Sequence, residues 1–182
     1  WFEATKVGDY NLNCTEYCGK DHSKMFAMVH VIPQEEFDAY MTKLASEYED
    51  MSTEQLPAYA INRLYNRCQS CHTLDGTTST GPTFKGLWDR VSSGEVAFTS
   101  GEKLSSLLGD ATEYGIPENY IRSSLVDPQQ HIVQDFLGSM PSFQGQLKDK
   151  QITALIEMFK HLDSLTDAEG NITVNTDGTP RE

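Results

Sequence analysis

Cys68-Gln69-Ser70-Cys71-His72 most restricts what this chain can fold into, because a C-x-x-C-H pentapeptide has to close around something large. Two thiols separated by two residues reach one edge of a macrocycle and add to its vinyl groups, while the adjacent imidazole turns beneath the metal. Cys68 and Cys71 are therefore read as the covalent attachments of a c-type haem, and His72 as its proximal iron ligand. The competing readings are a redox dithiol and half of a zinc site. Zinc calls for a second pair at similar spacing, whereas the other two cysteines, Cys14 and Cys18, stand far upstream at a different spacing. A thioredoxin-type dithiol calls for a preceding strand and a different residue after the motif.

The flanks of the motif agree with a haem-bearing helical domain. Ile61, Leu64, Tyr65 and Cys68 recur at helical spacing, which predicts an apolar helix face delivering the first cysteine. Ser52, Gln55 and Pro57 mark the start of that helix. Ile152, Leu155, Ile156, Phe159 and Leu162 form a second stripe, so two amphipathic helices bracket the segment and are expected to cross.

Four pieces of the chain are similar to the class I cytochrome c family over roughly residues 52–166. They are Cys68-Gln69-Ser70-Cys71-His72-Thr73-Leu74-Asp75-Gly76, Gly81-Pro82-Thr83-Phe84-Lys85-Gly86-Leu87-Trp88, Tyr120-Ile121-Arg122-Ser123-Ser124-Leu125-Val126-Asp127-Pro128, and Met140-Pro141-Ser142-Phe143. The resemblance implies a mainly α class I cytochrome c fold with Met140 as the second axial ligand, and a thioether opposite histidine raises the reduction potential. It also implies that the Pro82 carbonyl accepts a hydrogen bond from the proximal imidazole, fixing its tautomer. Trp88, Tyr120 and Phe143 are expected in the haem pocket. Met158 reads as a helix residue of core or surface, and His131 as an exposed residue of a polar stretch that is a weaker candidate ligand.

The earlier cysteines belong to a different motif. Cys14 and Cys18 stand with His22 and Met25 on one short stretch, and thiolates, imidazole and thioether together favour copper over harder cations. Zinc is the competing metal, but methionine ligates it poorly. Cys14, Glu16, Cys18, Gly19, His22 and Met25 match, position by position, the loop of the binuclear CuA centre in the cytochrome c oxidase subunit II family, which this stretch resembles. By that resemblance Cys14 and Cys18 bridge two coppers, His22 and Met25 are terminal ligands, and Glu16 contributes its backbone carbonyl. Nitrous oxide reductases carry a related loop, usually with tryptophan where Glu16 stands.

Tyr10 and Leu12 alternate with polar neighbours before the loop, and an apolar, β-favouring run from Phe26 to Ile32 follows it, so the loop is expected to join two strands. Residues 1–33 then read as the last strands and loop of an incomplete cupredoxin-like β-sandwich. Residues 34–51 read as a linking amphipathic helix through Phe37, Tyr40, Met41, Leu44 and Tyr48, residues 52–166 as the cytochrome c domain, and residues 167–182 as a flexible tail. The order of copper loop, helix and haem domain resembles the C-terminal part of a subunit II with a fused cytochrome c. That family's domain has further strands, a second copper histidine and two membrane helices, none found here, and no stretch has the roughly 18 to 20 apolar residues of a span. The chain starts at Trp1. The expectation is a processed, fragmentary or split subunit, with a further polypeptide or segment supplying the rest, since residues 1–51 alone would bury little core.

Composition narrows the partners. The 182 residues carry a formal net charge of −13, from 14 Lys and Arg against 27 Asp and Glu, which argues against nucleic acid and anionic lipid. An acidic surface suits a basic electron donor instead. The resemblance implies a basic cytochrome or a cytochrome bc-type complex as donor, the oxidase catalytic subunit I as acceptor, and the periplasmic face of a bacterial inner membrane or an intermembrane space as location. The expected function is electron transfer into an oxygen-reducing oxidase, with no acid–base or nucleophilic role for any side chain. A stand-alone c-type carrier with a vestigial copper loop, and an electron-feeding subunit of a nitrogen-oxide reductase, are the alternatives. The Gly- and Ser-rich segment between Arg90 and Ile116 carries no functional signal, and Asn171-Ile172-Thr173 fits a glycosylation sequon by pattern only.

Overall fold

The computed structural model describes every residue except Cys18, Lys20, Asp21, Ala111 and Glu182. The chain divides into two compact units, Trp1–Glu47 and Tyr48–Glu182. The division falls after the helix that follows the first hairpin, so Tyr48 belongs to the second unit, where its ring lies 5.7 Å from that of Tyr59.

The first unit is a hairpin and a helix. Strands β1 (Gly8–Asn13) and β2 (Phe26–Val31) pair antiparallel, with Tyr10 opposite Val29 and Leu12 opposite Ala27. Because side chains alternate across a strand, those residues share one apolar face, while Asp9 and His30 pair at 2.6 Å on the other. Helix α1 (Gln34–Ser46) begins after Pro33, whose extended backbone starts the turn, and places Glu35 and Glu36 where the helix dipole favours them. Among the described residues of this unit none is buried, and Tyr10, Leu12, Phe37, Tyr40, Met41 and Leu44 all stand exposed.

The second unit is helical. Short helix α2 (Leu56–Tyr59) runs on into a π turn (Ala60–Leu64) and a 3-10 turn (Tyr65–Arg67) that ends at Cys68. The Ser52–Gln55 start signal operates, with the Ser52 N–H donating to Oε1 of Gln55 at 3.0 Å. Helices α3 (Leu87–Ser92), α4 (Pro117–Val126), α5 (Asp149–Lys160) and α6 (Leu162–Leu165) complete it. The whole stripe of Ile152, Leu155, Ile156 and Phe159 on α5 is buried, and it packs on α2 and the π turn, where Ile61 and Leu64 are buried too. Met158, fully enclosed, is a core residue.

The expected flexible tail is held in place, and the Gly- and Ser-rich segment given no function packs into the core. Residues 94–116 send Phe98, Leu104 and Tyr114 into the core, with Leu104 held on a 3-10 turn (Leu104–Ser106). Residues 167–181 are tied down: Lys85 Nζ donates to the Ala168 carbonyl at 2.8 Å, Asn62 Nδ2 to the Val174 carbonyl at 3.2 Å, and the Arg181 guanidinium to Oδ1 of Asn62. Ile172 and Val174 supply the apolar contacts that a polar composition hides. Among the described residues no helix is long and apolar enough to cross a membrane.

Candidate cofactor and metal sites

A cavity of about 550 Å³ opens in the second unit, and the C-x-x-C-H residues form one wall of it. Cys68, Cys71 and His72 line it from the motif side, Pro82 and Phe84 from the loop that follows, Tyr120 and Leu125 from α4, and Met140 and Phe143 from the segment before α5. The 3-10 turn ahead of the motif brings the Cys68 N–H onto the Tyr65 carbonyl at 2.7 Å, and His72 closes the next turn onto Cys68 at 2.9 Å. Cys68 and Cys71 form no disulfide. Burial pushes the Cys68 thiol up to about 11, with Arg67 opposing the rise, so the sulfur is held protonated.

His72 is the only buried polar or charged side chain among the described residues, and its ring is fixed from three directions. Nδ1 donates to the Pro82 carbonyl at 2.7 Å, which leaves Nε2 as the lone-pair nitrogen. Phe84 stacks on the ring at 4.5 Å and 12°. Gly81 allows this approach, since a Cβ there would stand 2.5 Å from Cε1 of His72. Burial lowers the basicity of the imidazole, and the Pro82 carbonyl partly restores it. The Tyr65 hydroxyl donates to the His72 carbonyl at 2.8 Å and anchors the main chain beneath the ring.

Met140 stands on the same cavity, in a non-helical segment closed onto α4 by the Phe143 N–H on the Leu125 carbonyl at 2.9 Å. Trp88 is absent from the lining: one residue on from Leu87 rotates it about 100° around α3, and its indole carries Lys160 Nζ at 4.9 Å instead. His131 is a residue of the wall with only 12% of its side chain exposed, flanked by Phe98 at 4.9 Å and Tyr114 at 5.7 Å. Its polar sequence neighbours hid that burial, because the aromatic cover comes from the segment 94–116.

Sequence reasoning also missed Gly81, Phe84 and Arg90 as parts of the site. Arg90 lines the cavity and donates to the carbonyls of Lys85 and Thr83, each at 2.7 Å, locking the turn that carries Phe84. Burial holds its basicity below the usual guanidinium range. The signal for Gly81 was available: a glycine beside the proline facing the imidazole marks close backbone approach.

The residues expected as copper ligands lie in the first unit, on the connection between β1 and β2. The Cys14 N–H donates to the Met25 carbonyl at 3.1 Å, so the two ends of the loop meet, and Cys14 Sγ lies 3.2 Å from the Glu16 carbonyl. His22 opens a 3-10 turn (His22–Lys24), with its ring 5.7 Å from that of Tyr17. Cys18 lies outside the described residues. Among the described residues no group of three or more His, Cys, Asp or Glu gathers as a metal cage.

No protein-family model matches the chain. Over 93 residues it is 32% identical to the cytochrome c oxidase subunit 2 of Alkalihalophilus pseudofirmus. The match covers 50% of this chain and 27% of that protein, so the chain spans about a quarter of the length of the relative it matches. Part of the chain is therefore similar to an oxidase subunit 2.

Proposed function

We propose that the chain is an electron-entry module of a terminal respiratory oxidase, combining a class I cytochrome c domain with the copper-binding hairpin of a subunit II. The observation that carries this reading is the convergence of Cys68, Cys71, His72 and Met140 on one cavity. Two thiols, an imidazole whose Nε2 is left as acceptor and a thioether form a complete donor set for a covalently held haem, and the apolar remainder of the wall suits a macrocycle. The partial identity to an oxidase subunit 2 supports the assignment to that complex.

Each side chain has a defined part in this reading. Cys68 and Cys71 tether the group. His72 ligates through Nε2, with its tautomer set by the Pro82 carbonyl and its ring plane set by Phe84. Met140 would supply a thioether ligand from the segment before α5, while Tyr120 and Phe143 would exclude water. Arg67 and Arg90 are the cations of the lining and offset acidic substituents of the haem. Haem supplies reversible one-electron redox chemistry when bound, and the protein contributes ligation, orientation and dielectric.

The hairpin loop fits copper by the chemistry of its donors. The Cys14 thiol beside the Glu16 carbonyl, with His22 and Met25 on the same loop and Cys18 completing the set, offers soft and borderline ligands. The apolar face of Tyr10, Leu12 and Ala27 is exposed, as expected of strands that belong to a larger cupredoxin-like sheet. In this reading the chain would take electrons from an external donor, basic to match the net charge of −13, and hand them to the oxygen-reducing catalytic subunit at the outer face of an energy-transducing membrane, with a haem held by Cys68, Cys71, His72 and Met140 and copper held by Cys14, Glu16, Cys18, His22 and Met25 supplying the redox chemistry.

Iron and copper per chain, measured on the chain and on the membrane complex it copurifies with, test this directly. One covalent haem with about two coppers in the complex is expected. Haem without copper in both samples would leave a c-type carrier with a dead copper loop, and loss of neither iron nor spectrum on replacing Cys68 and Cys71 would overturn the haem site.

A further inference from the structure

We infer that Glu113 is a positioning residue that clamps the Met140 side of the cavity, which makes residues 94–116 a brace for the second axial ligand. The inference rests on the haem reading above.

The Glu113 carboxylate accepts from Gln130 Nε2 and stands 3.3 Å from His131 Nε2. Gln130 is held in turn by the Ser123 hydroxyl at 2.9 Å, which ties the group to α4. The main chain of the same segment pairs with the wall: the Thr99 N–H donates to the Ile132 carbonyl at 2.9 Å, and the Gln134 N–H to the Ala97 carbonyl at 2.8 Å. Phe98, 1% exposed, seals this contact against His131.

The braced stretch touches the ligand segment directly. Gln129 Nε2 donates to the Gly138 carbonyl at 2.6 Å and reaches that of Met140 at 3.4 Å. Ile132 lies against Gly138 so closely that a Cβ there would stand 2.7 Å from its Cδ1, and Gly138 holds a left-handed φ of 64°. Glu113 therefore acts on Met140 through two short steps, first to Gln130 and His131, then from their neighbours Gln129 and Ile132 to residues 138–140. The Glu113 carboxylate is exposed, but its hydrogen bond to Gln130 is charge-assisted, and it is a side-chain link between the segment and the wall beside the main-chain pairs of Thr99 and Gln134.

The test titrates haem-loaded ferric protein with imidazole, which competes with the thioether for iron. Glu113→Ala is expected to bind imidazole about tenfold more tightly than the native chain, equivalent to about 1.4 kcal/mol, because a loosened Met140 is displaced more easily. Asp110→Asn, an exposed charge change on the same segment, is expected to leave the affinity unchanged. Imidazole affinity equal to that of the native chain in Glu113→Ala overturns the clamp, even if the variant melts earlier, since a purely structural brace would lower the melting point alone. Should Glu113→Ala fail to fold, Glu113→Gln removes the charge and keeps the shape; a two- to fourfold tightening supports the clamp and none overturns it. A native spectrum insensitive to Met140→Ala would overturn the clamp together with Met140 as a ligand, and loss of neither iron nor spectrum on replacing Cys68 and Cys71 would overturn the haem reading itself; both are read without any Glu113 variant.

Discussion

Replacing Gly81 by alanine is the sharpest test of how the proximal imidazole is held. The new Cβ would stand 2.5 Å from Cε1 of His72, 2.9 Å from Nδ1 and 3.0 Å from Nε2. Ordinary carbon contacts begin near 3.4 Å, so the ring must retreat by roughly 0.9 Å. Retreat is blocked by Phe84 stacked at 4.5 Å, itself backed by Phe159 at 4.8 Å. Movement sideways breaks the 2.7 Å bond from Nδ1 to the Pro82 carbonyl. Gly81 is not among the glycines with positive φ, so alanine adds no backbone strain and the whole cost is steric. Overpacking costs about 1–3 kcal/mol and a lost buried hydrogen bond a comparable amount, which together come to about 3 kcal/mol. For a unit of this size that lowers the melting temperature by roughly 10 °C. Thermal unfolding followed by circular dichroism measures it, with Ser79→Ala on the same loop as the reference. A Gly81→Ala midpoint within about 2 °C of native would show that the ring is free to move and that the three-sided cage is not rigid.

Lys160 bridges Glu118 at 3.0 Å and Glu157 at 2.9 Å, so Lys160→Met leaves two carboxylates facing each other. Burial raises the Glu118 carboxyl, but the hydrogen bond from Lys160, a backbone hydrogen bond and the Lys160 charge together outweigh it, so its pKa lies below the ordinary value and its stabilisation is present at neutral pH and lost as pH falls through that range. The melting gap between native and Lys160→Met is therefore expected to narrow from pH 7 to pH 4, and a constant gap would contradict the pairing. Tyr65→Phe removes the donor to the His72 carbonyl and is expected to cost about 1 kcal/mol in urea unfolding at pH 7. Arg90→Lys cannot reach both carbonyls of Thr83 and Lys85 with one planar fork, so a loss of about 2 kcal/mol is expected, and an unchanged midpoint would deny the turn its lock.

The helical stripes were legible because burial on one face imposes a period of 3.6 residues, and every member of the α5 stripe is enclosed. The C-x-x-C-H motif was legible because its chemistry is local: thiols and imidazole sit within five consecutive residues. Trp88 stands off the cavity lining for the opposite reason, since its direction depends on where α3 lies against the rest of the unit. The anchoring of residues 167–181 likewise came from bonds to Asn62 and Lys85, far away in sequence.

By itself the sequence supplied the candidate donors, Cys68, Cys71, His72 and Met140 in one region and Cys14, Cys18, His22 and Met25 in another, because the suitability of a side chain as a ligand belongs to residue type and short spacing. Tertiary structure alone decided which of these share a cavity, that the Nδ1 of His72 is taken by the Pro82 carbonyl, and that His131 lies in the same wall within 3.3 Å of Glu113. Those outcomes depend on contacts between residues distant along the chain, which form only when burial of the apolar stripes draws the segments together.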